Sequence, residues 1–144
     1  MANNFGAISG GGGGSGDSGG VEIVLLWKNA SITSSFAAQK IPIDLSGYDM
    51  FIIIFSGTGT QNADKSNASV MFSKYSKSVR MSNSTATAPD FYNYTVTRSV
   101  SVSEDGLTFT DNSRATMTTA TEECAIDNSY NLPFEIYGIK GVIS

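Results

Sequence analysis

Histidine is absent from this 144-residue chain, and cysteine occurs once, at Cys124. Histidine is the side chain whose ordinary pKa lies near neutrality, so acid–base work at pH 7 would fall to carboxylates. One thiol excludes an intrachain disulfide, and a buried or idle thiol is the reading taken here. A zinc site would have to be built from that thiol and carboxylates, which is a poor ligand set. Charge is scarce as well, at 15% of residues against a usual quarter. Nine Lys and Arg face thirteen Asp and Glu, for a net charge of −4, so a phosphate backbone is repelled on average and no nucleic-acid partner is expected. Lys74, Lys77 and Arg80 are the nearest thing to a basic cluster and read as a solvated face. No apolar run approaches the ~20 residues that span a bilayer, so membrane insertion is not expected. The start, Met1-Ala2-Asn3-Asn4-Phe5, lacks the basic region and apolar core of a secretory signal. Synthesis in a cytoplasm is therefore expected, with another route out if the protein acts outside the cell.

With so little charge, the polar surface must be made of Ser, Thr, Asn and Gly, a composition common on β-rich extracellular, fibrous and virion proteins. Residues 1–20 read MANNFGAISGGGGGSGDSGG, with no apolar residue between Ile8 and Val21. Glycine loses the most freedom on ordering, so this stretch reads as a flexible N-terminal arm with a reach on the order of 25 Å. If a larger assembly orders it, Phe5 and Ile8 are its anchoring side chains. Residues 21–144 are then one domain with a single core.

The most apolar segment, Met50 to Phe55, follows the turn Ser46-Gly47 and precedes Ser56-Gly57. Its short, β-branched and aromatic make-up favours a central strand, and its lack of polar alternation predicts that both faces are covered. Val21 to Trp27 reads as a first strand. Phe36 to Leu45 reads as a second, with Ile41, Ile43 and Leu45 on one face and Pro42 pushing it towards a sheet edge. Ala68 to Tyr75 follows, then Lys77 to Met81 as its continuation or a short further strand. Ser56–Ser66 and Ser82–Asp90 read as polar loops. Tyr92 to Ser103 alternates over twelve residues and turns at Glu104-Asp105-Gly106 into a return strand from Leu107, a hairpin. Arg98 interrupts the apolar face of that strand, and a bulge or a sheet edge is favoured over a charge paired across a subunit interface. Arg114 to Thr121 has strand propensity with little apolar content. Glu122 to Asn131 reads as loop, with Cys124, Ile126 and Tyr130 as packing points. Leu132 to Ile143 closes the chain, with Gly138 and Gly141 marking bends or bulges. About eight short strands and no amphipathic helix predict an all-β fold, an antiparallel β-sandwich of jelly-roll type with a Gly-rich arm.

Gly16-Asp17-Ser18-Gly19-Gly20 matches the segment around the nucleophile of trypsin-like proteases. Without a histidine base, and inside a glycine tract, it reads as linker composition. Glu104/Asp105 and Glu122/Glu123 are adjacent carboxylates that point apart or into water, not a glycosidase dyad. Asp105, Asp111 and Asp127 offer oxygen ligands without the spacing of a calcium loop. No catalytic, metal or cofactor site is expected, and the chain is not read as an enzyme.

Leu25-Leu26-Trp27-Lys28-Asn29, Ser34-Ser35-Phe36-Ala37-Ala38-Gln39, Asp44-Leu45-Ser46-Gly47-Tyr48-Asp49 and Ile136-Tyr137-Gly138-Ile139-Lys140-Gly141, taken in this order, resemble a C-terminal module of tail and fibre proteins of tailed bacteriophages. The resemblance implies a virion structural protein of fibre or tail-tip type, a homotrimer attached to other tail, baseplate or capsid proteins. It implies a domain that meets a host-surface glycan or protein, with Tyr75, Phe91, Tyr92 and Tyr130 as candidate contacts. The alternatives are a capsid decoration or head-fibre protein and, further off, a polysaccharide hydrolase.

Overall fold

The computed structural model describes residues 20–56, 67–87, 92–117 and 122–142, without the side chains of residues 85–87, 92 and 93. Within them run ten strands and no helix: β1 (Glu22–Lys28), β2 (Gln39–Pro42), β3 (Met50–Ser56), β4 (Asn67–Ser73), β5 (Ser78–Thr87), β6 (Tyr92–Ser103), β7 (Gly106–Phe109), β8 (Ser113–Met117), β9 (Glu122–Ile126) and β10 (Leu132–Lys140). All pairings are antiparallel. The first sheet has the order β1-β10-β3-β4. In the second, β6 is the axis. β5 runs along one side of it, while β7 and then β8 share the other, continued outward by β2 and β9 respectively.

One buried cluster joins the sheets. Phe51, Ile53, Phe55 and Ile136 enter it from the first, and Met81, Val100, Leu107 and Phe109 from the second. Phe36, Ile41, Ile43 and Leu45 join from β2 and its flanks. The inward face foreseen for Ile41, Ile43 and Leu45 is present, but only Gln39–Pro42 is strand. β2 ends the order of its sheet, where Pro42 interrupts no inner ladder.

β3 is an interior strand, as its composition predicts, but its two faces differ. Phe51, Ile53 and Phe55 are sealed, while Met50, Ile52 and Ile54 are half-buried. The expectation that both faces are covered is corrected. Outward, Ile52 lies in a cross-strand row with Leu25, Tyr137 and Met71, in which Leu25 and Met71 are exposed at the ends and Tyr137 is buried.

Other expectations fail for a common reason. Residues 82–87 are strand, not loop, because β5 pairs with β6 over its whole length. Glu122–Ile126 is strand, not loop, through its ladder to β8. Both segments are polar, so hydrogen bonding rather than burial makes them strands. Cys124 and Ile126 are exposed instead of packed. β10 does bulge, but at Phe134 rather than at Gly138. Gly138 serves close approach instead: a Cβ there would lie 2.5 Å from the Tyr48 ring. The loop at 57–66, the N-terminal arm with Phe5 and Ile8, and Phe91 all lie outside the described residues.

Arg98 marks neither a bulge nor an edge. It is fully buried on the central strand β6, where β7 ends and β8 has yet to begin. Its Nε donates to the Asn131 carbonyl (3.2 Å), Nη1 to that of Thr110 (2.6 Å) and Nη2 to that of Tyr130 (3.2 Å). The guanidinium sits 5.3 Å from the Phe36 ring centre. Burial pushes its pKa down to about 10, against the pull of Asp111, so it stays charged at neutral pH. Asn131, with a left-handed φ of 48° that Asn tolerates, enters β10 here and donates to Asn112 (2.8 Å) and to the Met81 carbonyl (3.2 Å). Backbone carbonyls thus take the place of an acidic partner.

Candidate functional site

A cleft of about 570 Å³ opens where three segments meet: the lead-in to β3 (Leu45–Asp49), the β4–β5 turn (Lys74–Lys77) and the end of β6 (Val102–Glu104). The lead-in is shaped by Asp44, whose Oδ1 accepts from the amide and hydroxyl of Ser46 (2.9 and 2.6 Å). Those bonds hold its carboxyl below the usual carboxylate range. Gly47 follows with φ +82°, a backbone that a side chain would strain. The amides of Ile43 and Leu45 bond the carbonyls of Asp105 and Glu104, which ties this segment to the β6–β7 turn.

Asp49 is the clamp of the cleft. Its Oδ1 accepts from Lys74 Nζ and its Oδ2 from the Val142 amide (both 3.1 Å), and its own amide donates to the Ile139 carbonyl. The side-chain bond to Asp49 holds the Lys74 ammonium above its ordinary range. In the turn, the Ser76 amide closes back on the Ser73 carbonyl and the Tyr75 amide on the Ser73 hydroxyl. The bend leaves Tyr75 72% exposed, with Lys74 Nζ 5.4 Å from its ring centre. Tyr48 contributes a second, half-buried ring, 6.1 Å from Phe51 and 4.9 Å from Lys140 Nζ. Among the described residues, Lys77 and Glu104 make no ion pair.

The arrangement offers an exposed aromatic face, several hydroxyls and, among the described residues, a cation and an anion without an ion pair. That suits a polar ligand with an apolar side. Two-carboxylate hydrolysis needs a pair flanking the scissile bond, and of the two described carboxylates lining the cleft Asp49 is occupied by Lys74 and the Val142 amide. Ser103 donates its hydroxyl to Asp105 (2.7 Å). Asp105 bridges to Lys40, which holds its carboxyl below the ordinary range.

Of the candidate contacts whose side chains are described, Tyr75 lines the cleft and Tyr130 does not. Tyr130 stands edge-on to Tyr94 (5.5 Å) beneath Arg114 (5.6 Å), which bridges to Asp127 (3.1 Å). Burial, reinforced by Tyr94, raises the Tyr130 phenol. The structure does not bring Tyr75 and Tyr130 into one site. Phe91 and the side chain of Tyr92 lie outside the described residues. Tyr48, Lys77 and Glu104 were missed as site residues by the sequence reading, although the turns read at Ser46-Gly47 and at Glu104-Asp105-Gly106 marked two of the three walls.

Comparison with known proteins finds no matching family model, no matching curated protein and no matching solved structure.

Proposed function

We propose that the chain is a bacteriophage virion structural protein of fibre or tail-tip type that meets the host surface through the end cleft, without enzymatic activity. Its two sheets are read as a β-sandwich of jelly-roll type, borne by the Gly-rich arm on other virion proteins. The observation that carries the reading is the cleft, with Tyr75 displayed on a hydrogen-bonded turn beside Lys77 and Glu104, which make no ion pair among the described residues. The exposed Leu25 and Met71 on the outward face of the first sheet support packing against other subunits, and the homotrimer rests on the fibre resemblance.

The test is a pull-down of the purified chain on bacterial cell walls and on an array of envelope glycans. Wild type is expected to bind, and Tyr75→Ala, which removes an exposed side chain, to lose binding at unchanged Tm. Equal binding by both proteins, or none by wild type, sinks the cleft reading. The exposed strand β9 favours a second reading, a capsid decoration or head-fibre protein. Particle cryo-microscopy that finds the domain on the head rather than the tail selects it.

A further inference from the structure

We propose that residues 4–8 of the N-terminal arm dock into the end cleft of their own chain and must be displaced before anything else binds there. The domain is entered beside that cleft. Gly20 packs on Gly141, where an added Cβ would lie 2.7 Å from the Gly20 carbonyl oxygen. The next amide, that of Val142, is held by Asp49, which lines the cleft and clamps Lys74 on it. Three internal stretches also lie outside the described residues, joining Ser56 to Asn67, Thr87 to Tyr92 and Met117 to Glu122. The ladders put those junctions at the far ends of β3 and β6, whose Phe51 and Ser103 line the cleft. Residues 1–19 and 143–144 attach at the cleft end instead, and of these only the former carry an aromatic side chain, Phe5.

Length and chemistry fit the same occupant. Eleven residues, 9–19, separate Ile8 from Gly20, all Gly or Ser except Asp17. A chain of that kind has a root-mean-square span of about 20 Å, so it delivers Phe5 and Ile8 to a cleft that opens next to its root. The apolar lining is the buried Leu45 and Phe51 and the half-buried Tyr48 and Val102, together with the exposed ring of Tyr75. Phe5 can bury area there and stack on a tyrosine ring without needing a hydrogen bond. Gly6 permits the bend that brings Phe5 and Ile8 to one side. Residues 1–20 carry no Lys or Arg, and their one charged side chain, Asp17, is opposite in sign to Lys77 on the cleft. Tethering sets a local concentration of millimolar order. Docking with a dissociation constant of ~0.1 mM then fills the cleft about nine-tenths of the time and weakens an outside ligand about 10-fold. Phe5 and Ile8 cannot hold the cleft and anchor the chain on other virion proteins at once, so attachment to the particle frees the cleft. As regulation of host binding this rests on the function proposed above, whereas the docking itself does not.

The test uses the full chain with Cys124→Ser and a nitroxide label on Ser9→Cys. The amide NMR signals of residues 74–77 and 102–104 are expected to lose intensity while those of residues 67–69, at the far end of β4, keep theirs, whatever the dilution. Adding Phe5→Ala and Ile8→Ala is expected to restore the lost intensity, and Ile143→Ala is not. Uniform loss, no loss, or loss that persists in the alanine variant overturns the proposal. Loss that fades on dilution belongs to a neighbouring chain and overturns it too, as does restoration by Ile143→Ala alone, which gives the cleft to the residues after Val142. These spectra contain no host ligand, so their failure leaves the host-binding reading standing. On bacterial cell walls the unlabelled Phe5→Ala/Ile8→Ala chain is expected to bind about 10-fold more tightly than wild type. Equal binding by the two overturns the regulatory role, and binding by neither, with the cleft signals still lost, sinks the host-binding reading and upholds the docking.

Discussion

β3 and β9 are both laddered strands, yet they are held in opposite ways. β3 has neighbours on each side and drives Phe51, Ile53 and Phe55 into the core at no more than 2% exposure. Each such side chain contributes about 1.5–3 kcal/mol. Among the described strands β9 has one neighbour, and it buries none of its residues. Its hydrogen bonds hold it, each with a net worth of about 1 kcal/mol. A ladder therefore suffices to shape a strand, while burial decides how much of the fold depends on it.

The largest expected effect breaks the covered side. Ile53→Asp places an unpaired carboxylate at a fully buried position and should cost about 4 kcal/mol or more, read as a drop in urea midpoint. Ile52→Asp, one residue along on the half-buried face, should cost far less. Equal losses would mean that the outer face is as sealed as the inner one. Next comes Arg98→Ala, which leaves the carbonyls of Asn131, Thr110 and Tyr130 without their donor and a cavity beside Phe36. A loss of about 3 kcal/mol is expected in the same titration. A variant as stable as wild type would show that the cost of burying the charge cancels what its bonds contribute.

Acid should separate the two regions. Asp111, held low by the Ala38 amide and Asn128, and Asp127, where hydrogen bonds from Ser129 and Arg114 outweigh the upward push of burial, both have folded pKa values below their unfolded ones. Such groups contribute stability that is fully present above about pH 4 and is lost as pH falls through the folded value. Both bind around the end of β9, where the Asp127 amide also meets the Asn112 carbonyl. Hydrogen exchange below about pH 4 should therefore release the amides of β9 before those of β3. Simultaneous release would tie the edge to the core. The smallest effect is Ile126→Thr, at a side chain 70% exposed, expected within about 0.5 kcal/mol of wild type in the dilute chain.

The same contrast explains what was legible in the sequence. β6 and the hairpin at Glu104–Gly106 announce themselves by alternation and turn chemistry, and β3 by its apolar run. β9 and the second half of β5 carry no apolar signal, because partner strands rather than the core recruit them. Arg98 looked like an interruption of β6, since its acceptors are main-chain carbonyls that no side-chain pattern encodes. In the cleft, Tyr75 stood out as an aromatic in a turn. Tyr48 and Glu104 did not, because their walls come from segments tens of residues apart.

Arg98 also sets an order in time. It leaves the ribosome ahead of all three groups that hold it, and Tyr130 and Asn131 come more than thirty residues later. Until they arrive, a nascent chain can enclose this cation only at the cost of an unmet charge. Completion of the second sheet thus waits on Tyr130 and Asn131, which lead into β10 of the first. A chain stopped at Asn128 should give the circular dichroism of an unfolded polypeptide, and native-like β signal from it would break that dependence. The lead-in to β10 is what permits the middle of the chain to close.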